Sequence, residues 1–531
     1  MPSLLLTPDV RPRRPWRAFA LLGVGLAALG GIGALMMSRN DLDARLVGID
    51  DGAAIKPDAI GGIELRIEPV GGTGFKKATL SLNGVPLDVS VDGGSLGWVT
   101  PRLVEGDYEL LLEAKKPVRG QMSKRWSFRV DGTAPTIGLP AALDPVPIDQ
   151  PFVLAGPVDA DAIVMVDDQP AQMGNGSFRF DYAIPPAGPV HVVAIDKAGN
   201  SSGTDVIVPV VHPPTRSIHA TFNAWASESF RKQVYSLIAD KRITAVQLDL
   251  KDETGQVGYD TDVALAKEIG ARNPTYALKS AVDDIHARGA RVIGRLVAFR
   301  DPILADAAWA RGDQDWVLQT PDGQPLGAYG GFTNYVNAGV RKYNADLAIE
   351  AAQRGVDEVL WDYIRRPEGD PSTMVVPGLG DRVSSDVVAD FLAETHAALR
   401  SLKVEQGASV FGIAASRPNV IAQDVPLMAL HTDYIAPMVY PSHWNKGEYG
   451  VADPNRQPYD IVKRSLADFQ KAMEGTNKPL MPWLQDFSQG VDYGVTEVAA
   501  QIRASSDLGI EGFLLWNPSS RYTVDALKPA A

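Results

Sequence analysis

Two stretches of the chain, AVQLDLKDE at residues 245–253 and VLWDYIRRP at 359–367, each run through apolar residues and then stop on carboxylates beside cations. A strand covered on both faces needs Val, Ile and Leu almost continuously, so Asp249 and Asp362 break a pattern that packing alone would keep. Asp252 follows the first run, Arg365 and Arg366 follow the second, and Asp301 and Asp486 close RVIGRLVAFRD and PLMPWLQD in the same way. A pair of carboxylates is what glycoside hydrolysis requires, one to protonate the leaving oxygen and one to attack the sugar or activate water. A neighbouring Lys or Arg keeps a carboxylate ionised, whereas burial raises it toward an acid's role. Asp249 beside Lys251, with Arg295 near, fits the ionised partner, and Asp362 near Arg365 fits it equally, so acid and base stay unassigned.

The elements that must position these residues begin after VVHPPTRS. From residue 217 strand-like runs alternate with amphipathic helical ones: SIHATFNAW with FRKQVYSLIADK, ITAVQLDL with YALKSAVDDIHARG, and RVIGRLVAF with ILADAAWA. VDEVLWDY, SVFGIAAS, YIAPMVY, PLMPWLQ and GFLLWN continue the series. Eight such units predict a closed (β/α)8 TIM barrel over 214–531, with an open doubly wound sheet as the rival that lacks its Gly-rich phosphate turn. Reacting groups then belong at the strands' C-terminal ends, which selects Asp249, Lys251, Asp252, Asp301, Asp362 and Asp486. Asp357, Glu358, Asp433 and Glu511 open their strands and are assigned to the stabilising face. Alternation points Val246, Leu248 and Leu250 at the helices and Gln247, Asp249 and Lys251 at the axis. By the same count Leu360, Asp362 and Arg295 point inward.

Aromatic residues gather at predicted strand ends: Trp225, Tyr440, Trp444, Trp483 and Trp516. Flat rings of this kind stack on pyranose faces, beside hydrogen-bonding groups such as His443, Gln485 and Asn517. With Lys251, Arg295 and Arg365 they form the expected substrate-binding set. The seven histidines show no H-E-x-x-H spacing, and no G-x-x-x-x-G-K-[ST] loop is present, so neither a metal nor another cofactor is expected. A net charge of −13 argues against nucleic acid as a partner.

Upstream, residues 45–213 read as all-β. GIELRIEPV, ATLSLNG, YELLLEAKK and KRWSFRVDG alternate with turns, and FVLAG, AIVMVDD, FRFDYAI and VHVVAIDKAGN repeat the pattern. Two successive sandwiches are expected, over 45–133 and 134–213. Gly93, Ser95 and Gly97 spell the G-x-S-x-G of a hydrolase elbow, but between strands the motif reads as a turn. An uncharged run from Ala18 to Met37, preceded by Arg11, Arg13, Arg14 and Arg17, is long enough to cross ~30 Å of hydrocarbon. The expectation is a cytoplasmic tail over 1–17, an uncleaved single-pass signal anchor in the inner membrane over 18–37, and a periplasmic remainder, with a cleaved signal peptide as the rival. The chain has no cysteine, which excludes disulfides and thiolate chemistry.

AVQLDLKDETGQVGYDTD, WDYIRRP, DYIAPMVYPSHW and PWLQDF, in that order, resemble the bacterial putative glycosyl hydrolase domain family. The resemblance implies a barrel and favours Asp249, Asp252 and Asp362. Pro367 stands where similar proteins carry an aromatic. RVDGTAPTI and AIDKAGNSS resemble the closing strands of bacterial Ig-like domains. Together these readings give a membrane-anchored periplasmic glycoside hydrolase acting on an envelope or exported polysaccharide. The alternative is a noncatalytic barrel that binds glycan or a protein in an envelope assembly or secretion machine. A lipid- or peptidoglycan-processing enzyme of other chemistry is a third reading.

Overall fold

A computed structural model describes residues 42–529 apart from 72–73, 76, 116–119 and 141. The chain divides into two compact units between Gly132 and Thr133. The first is built of alternating strands, and its sheets of four and five strands share one core that includes Leu65, Ile67, Leu110, Leu112, Trp126 and Phe128. Its long hairpin pairs Gly106–Lys115 with Gln121–Val130, Leu110 opposite Trp126. Gly93 and Gly94 link Ser90–Asp92 to Ser95–Val99 at φ +57° and +86°, values a tight hairpin turn demands and side chains resist. The G-x-S-x-G pattern is therefore a turn.

The second unit opens with strands Phe152–Pro157 to Ser201–Ile207, in sheets of three and four strands over Leu154, Val164, Phe178 and Val192. A parallel barrel follows. Its eight strands are Arg216–Ala220, Ala245–Lys251, Arg291–Val297, Glu358–Asp362, Glu405–Phe411, Tyr434–Met438, Trp483–Gln485 and Phe513–Trp516. The first strand pairs in parallel with both the second and the eighth, which closes the ring. The barrel is the TIM type the alternation predicts. Short strands Val257–Tyr259 and Arg272–Tyr276 extend the sheet beside the second strand.

One expectation is corrected at the N-terminus. No helix among the described residues is long and apolar enough to cross a membrane. Residues 1–17 and 18–37, assigned above to a tail and an anchor, lie outside the described residues. Among the described residues the fold has no transmembrane element, and the inner-membrane, periplasmic placement is withdrawn.

Alternation divides the barrel's apolar residues into two layers. Val246, Leu248, Leu250, Val359 and Trp361 pack in the large core under the helices, while Ala245, Ile293, Leu360, Ala436, Trp483 and Leu514 fill the interior. Lys251 departs from this rule. The register between the second and third strands shifts after Asp249, so that Asp249 faces Arg295 but Lys251 faces Leu296. Such a bulge reverses the side on which the next side chain emerges. Lys251 consequently lies behind the strand, where its Nζ donates to Asp301 Oδ2 at 2.8 Å and Asn344 Oδ1 at 2.7 Å, above the Tyr343 ring. Burial pushes its ammonium below the usual range against the pull of Asp301. Asp301 also caps helix Pro302–Arg311 through Leu304 N–H. Lys251 and Asp301 thus tie the barrel to its helices and take no part at the axis. Lys251→Ala, which strands a buried carboxylate, should lower the unfolding free energy in urea by roughly 3–5 kcal/mol, and the double change Lys251→Met/Asp301→Asn should recover most of that loss.

Candidate functional site

Three neighbouring strands deliver the charged centre at the barrel's C-terminal end. Arg295, on the third strand, stands opposite Asp249 on the second and Leu360 on the fourth, and Asp362 ends that fourth strand. Its guanidinium donates from Nη1 to Asp249 Oδ1 at 2.8 Å, and from Nε and Nη2 to Asp362 Oδ2 at 2.9 and 2.6 Å. Nη2 also contacts Glu253, from the loop after the second strand. One cation therefore gathers three carboxylates. It keeps Asp249 and Asp362 inside the ~9.5 Å upper limit over which glycosidase carboxylates cooperate.

The other contacts fix orientation. His219, on the first strand, places Nε2 2.8 Å from Asp249 Oδ1, which requires the proton on Nε2 while Asp249 is ionised. Asp362 Oδ1 accepts from the Tyr363 amide at 2.7 Å. Tyr363 adopts φ +49°, a left-handed conformation that costs a non-glycine residue about 1–3 kcal/mol and that collects at functional sites. Asp249 and Asp362 are each 2 % exposed, whereas the Glu253 side chain is 32 % exposed. Solvent meets the cluster through Glu253.

Electrostatics follow from this crowding. Burial pushes Asp249 up, but the charges of His219 and Arg295 outweigh it and hold the carboxyl below its usual range. Glu253 behaves alike: burial raises it, Arg295 prevails, and it stays low. Burial would depress Arg295, yet Glu253, Asp362 and Asp249 together lift it well above the normal guanidinium value.

The remaining expected residues separate into three groups. Asp252 and Asp486 each hydrogen-bond to nearby loop residues. Asp252 Oδ1 accepts from Thr254 N, Thr254 Oγ1 and Gln256 N, closing a turn, and burial raises its carboxyl. Asp486 binds the Thr523 amide and hydroxyl at 2.7 and 2.6 Å, and burial raises it too. Arg365 is buried against Phe411 and Tyr363, its Nη1 donating to the Arg366 carbonyl at 2.9 Å. A second group has packed into the core: Trp225 against Tyr235, Trp444 against Tyr449, and Trp483 inside the barrel, where its Nε1 donates to Ser409. Gln485 braces the loops through Ser442 N and Phe487 O, and Asn517 donates to the Asp486 carbonyl.

A third group stays near solvent. Trp516 lies 5.2 Å from Tyr440 and 5.1 Å from Phe487, with His443 5.3 Å from Tyr440. Trp516 and Phe487 are half-buried and His443 is exposed. The Tyr440 phenol is raised well above normal by burial and then by the charge of Asp362.

His219, Glu253 and Phe487 lie outside the expected set. His219 carried a signal, because in SIHA it shares parity with Ser217 against Ile218 and Ala220.

The putative glycosyl hydrolase domain family matches residues 217–522, more than half of the chain. The glycoside hydrolase class read from the paired carboxylates agrees with it. No curated protein matches. Among solved structures, the chain is similar to a hypothetical protein from Ruminiclostridium thermocellum ATCC 27405, at 24% identity and TM-score 0.33, covering 38% of this chain and 98% of that one. It is also similar to the PgaB (BpsB) glycoside hydrolase domain from Bordetella bronchiseptica, at 14% identity and TM-score 0.45, covering 60% and 100%. A cycloalternan-degrading enzyme from Trueperella pyogenes shows 12% identity and TM-score 0.38, covering 86% and 77%. Likeness at this level carries no chemistry across.

Arg295→Gln tests the cluster through pH. Asp249 and Glu253 have folded-state values below their unfolded ones, so their contribution is complete above about pH 4–5 and is lost as pH falls through the folded values. The variant should unfold at lower urea than wild type at pH 7, and the gap between them should narrow as the pH drops below 4.

Proposed function

The chain belongs to the putative glycosyl hydrolase domain family, and from that premise we propose that its barrel hydrolyses glycosidic bonds of an oligo- or polysaccharide at the carboxylates around Arg295. The observation that carries the reading is the convergence of Asp249, Asp362 and Glu253 on one guanidinium at the end of the barrel where chemistry resides. In this proposal Asp362, anchored by Arg295 and the Tyr363 amide, is the ionised partner that attacks the sugar or activates water. Glu253 is the proton donor. Its contact with Arg295 now outweighs burial; a saccharide that displaces the contact and excludes water leaves burial to act alone, which raises the carboxyl into an acid's range. Asp249 and His219 position Arg295, and the Phe487 and Trp516 rings, backed by the buried Tyr440, supply an apolar face for a sugar. The β-rich segments 45–133 and 134–213 serve as separate modules ahead of the barrel over 214–531.

The burial of Asp249 and Asp362 on an arginine also suits the second reading, a noncatalytic barrel that binds glycan or protein through the aromatic patch. Assays for new reducing ends over a panel of bacterial polysaccharides separate the two. Asp362→Asn should lower the rate by about 10²–10⁴-fold. Glu253→Gln should lose a similar factor on natural glycans but regain much of it on aryl glycosides, whose leaving groups need no proton. Absence of release by the wild type from every glycan, with binding retained, would establish the binding module.

A further inference from the structure

The opposite end of the barrel holds a second polar group that the hydrolytic reading does not use. Glu358 and Glu405 open the fourth and fifth strands, and His212 comes from the segment just before the first. All three side chains are at least nine-tenths buried. His212 Nε2 lies 3.5 Å from Glu358 Oε2 and 3.3 Å from Glu405 Oε2. Neither contact is a hydrogen bond: His212 Nε2, Glu358 Oε2 and Glu405 Oε2 have no hydrogen-bond partner. Tyr434, fully buried, adds an unpartnered hydroxyl, and its ring lies 4.8 Å from that of His212. Leaving so many buried polar atoms without partners costs several kcal/mol, so something else should satisfy them.

The spacing identifies the class of ligand. Around a tetrahedral cation with bonds of ~2.0–2.1 Å, neighbouring donor atoms stand ~3.3–3.4 Å apart, close to the 3.3 and 3.5 Å that separate His212 Nε2 from the two carboxylate oxygens, and all three donor atoms lie within 4.8 Å of one another. Imidazole with two carboxylates is a donor set for zinc and related divalent ions. Arg291 Nη2 meets the other oxygens, Glu405 Oε1 at 2.7 Å and Glu358 Oε1 at 3.1 Å, and so turns the Oε2 atoms toward His212 as an outer-shell donor does. A cavity of about 490 Å³, lined by Pro213, Met473, Lys478, Met481 and Gly512 among others, reaches the group at His212. We propose that His212, Glu358 and Glu405 form a structural divalent-cation site of the zinc class, which pins the segment ahead of the barrel to its fourth and fifth strands.

The test uses the full chain without a histidine tag, stripped with chelator and titrated with zinc chloride, magnesium chloride serving as control. The expected result is one zinc per chain by calorimetry and elemental analysis, with a higher thermal midpoint and no response to magnesium. His212→Ala and Glu405→Gln should each weaken zinc binding at least ~10–100-fold and abolish the zinc-dependent rise in midpoint. Cobalt substitution gives an independent readout: d–d bands of four-coordinate N/O ligation should appear in the wild type and vanish in Glu405→Gln, which keeps the side chain's shape should His212→Ala fail to fold. No zinc bound up to millimolar concentration, or equal binding by the wild type and Glu405→Gln, would overturn the site and leave a charge-balanced ion pair of His212, Arg291 and the two glutamates.

Discussion

The upper half of the barrel depends on a single buried cation. Taking a guanidinium out of water costs several kcal/mol, and that cost is offset here because Asp249, Asp362 and Glu253 all bind Arg295. The converse is as strong: without Arg295 three carboxylates would share one poorly hydrated space, repel and take up protons. The second, third and fourth strands must therefore keep a register that brings the three acids to one side chain. The strained backbone at Tyr363 fits the same demand, since its amide fixes the oxygen of Asp362 that Arg295 leaves free.

The bulge after Asp249 acts in the same direction. Continued alternation would have turned the Lys251 ammonium toward the axis, on the side where Asp249 and Arg295 stand. The register shift sends it outward to Asp301 and leaves three carboxylates facing one guanidinium and one imidazole. In the proposed hydrolysis, keeping this second cation away from the axis favours the positive charge that develops in an oxocarbenium-like transition state. A side chain diverted to the helix layer thus sets the field at the axis.

Much of this was legible in the sequence because a period of two is a strict rule for strands buried on both faces. It separated Val246, Leu248 and Leu250 from Asp249, and Trp361 from Asp362, and the count of eight strand–helix units led to the barrel. Lys251 escaped because a bulge arises from pairing between two strands and leaves no trace in either pattern. Glu253 escaped because it lies beyond the strand, where alternation no longer sets direction. His219 obeyed the rule and was readable. The tryptophans at strand ends divide for a thermodynamic reason: Trp225, Trp444 and Trp483 each carry enough apolar surface that packing claims them, while Trp516 keeps partial exposure beside Phe487 and His443.

The two ends of the interior are built from the same strands with the same chemistry. The third strand carries Arg291 and Arg295, the fourth Glu358 and Asp362, each pair on one face and separated by a layer that includes Ile293, Leu360 and the buried amide of Gln247. They differ in saturation. Above, Arg295 uses Nε, Nη1 and Nη2 on carboxylates; below, Arg291 reaches only one oxygen of each glutamate and leaves the others turned to an imidazole too far away to bond. A saturated network resists change until a ligand competes for its hydrogen bonds, whereas an unsaturated one lowers its energy by gaining a ligand. Because the two groups share no hydrogen-bond partner, disturbances at one end should add to those at the other with little coupling.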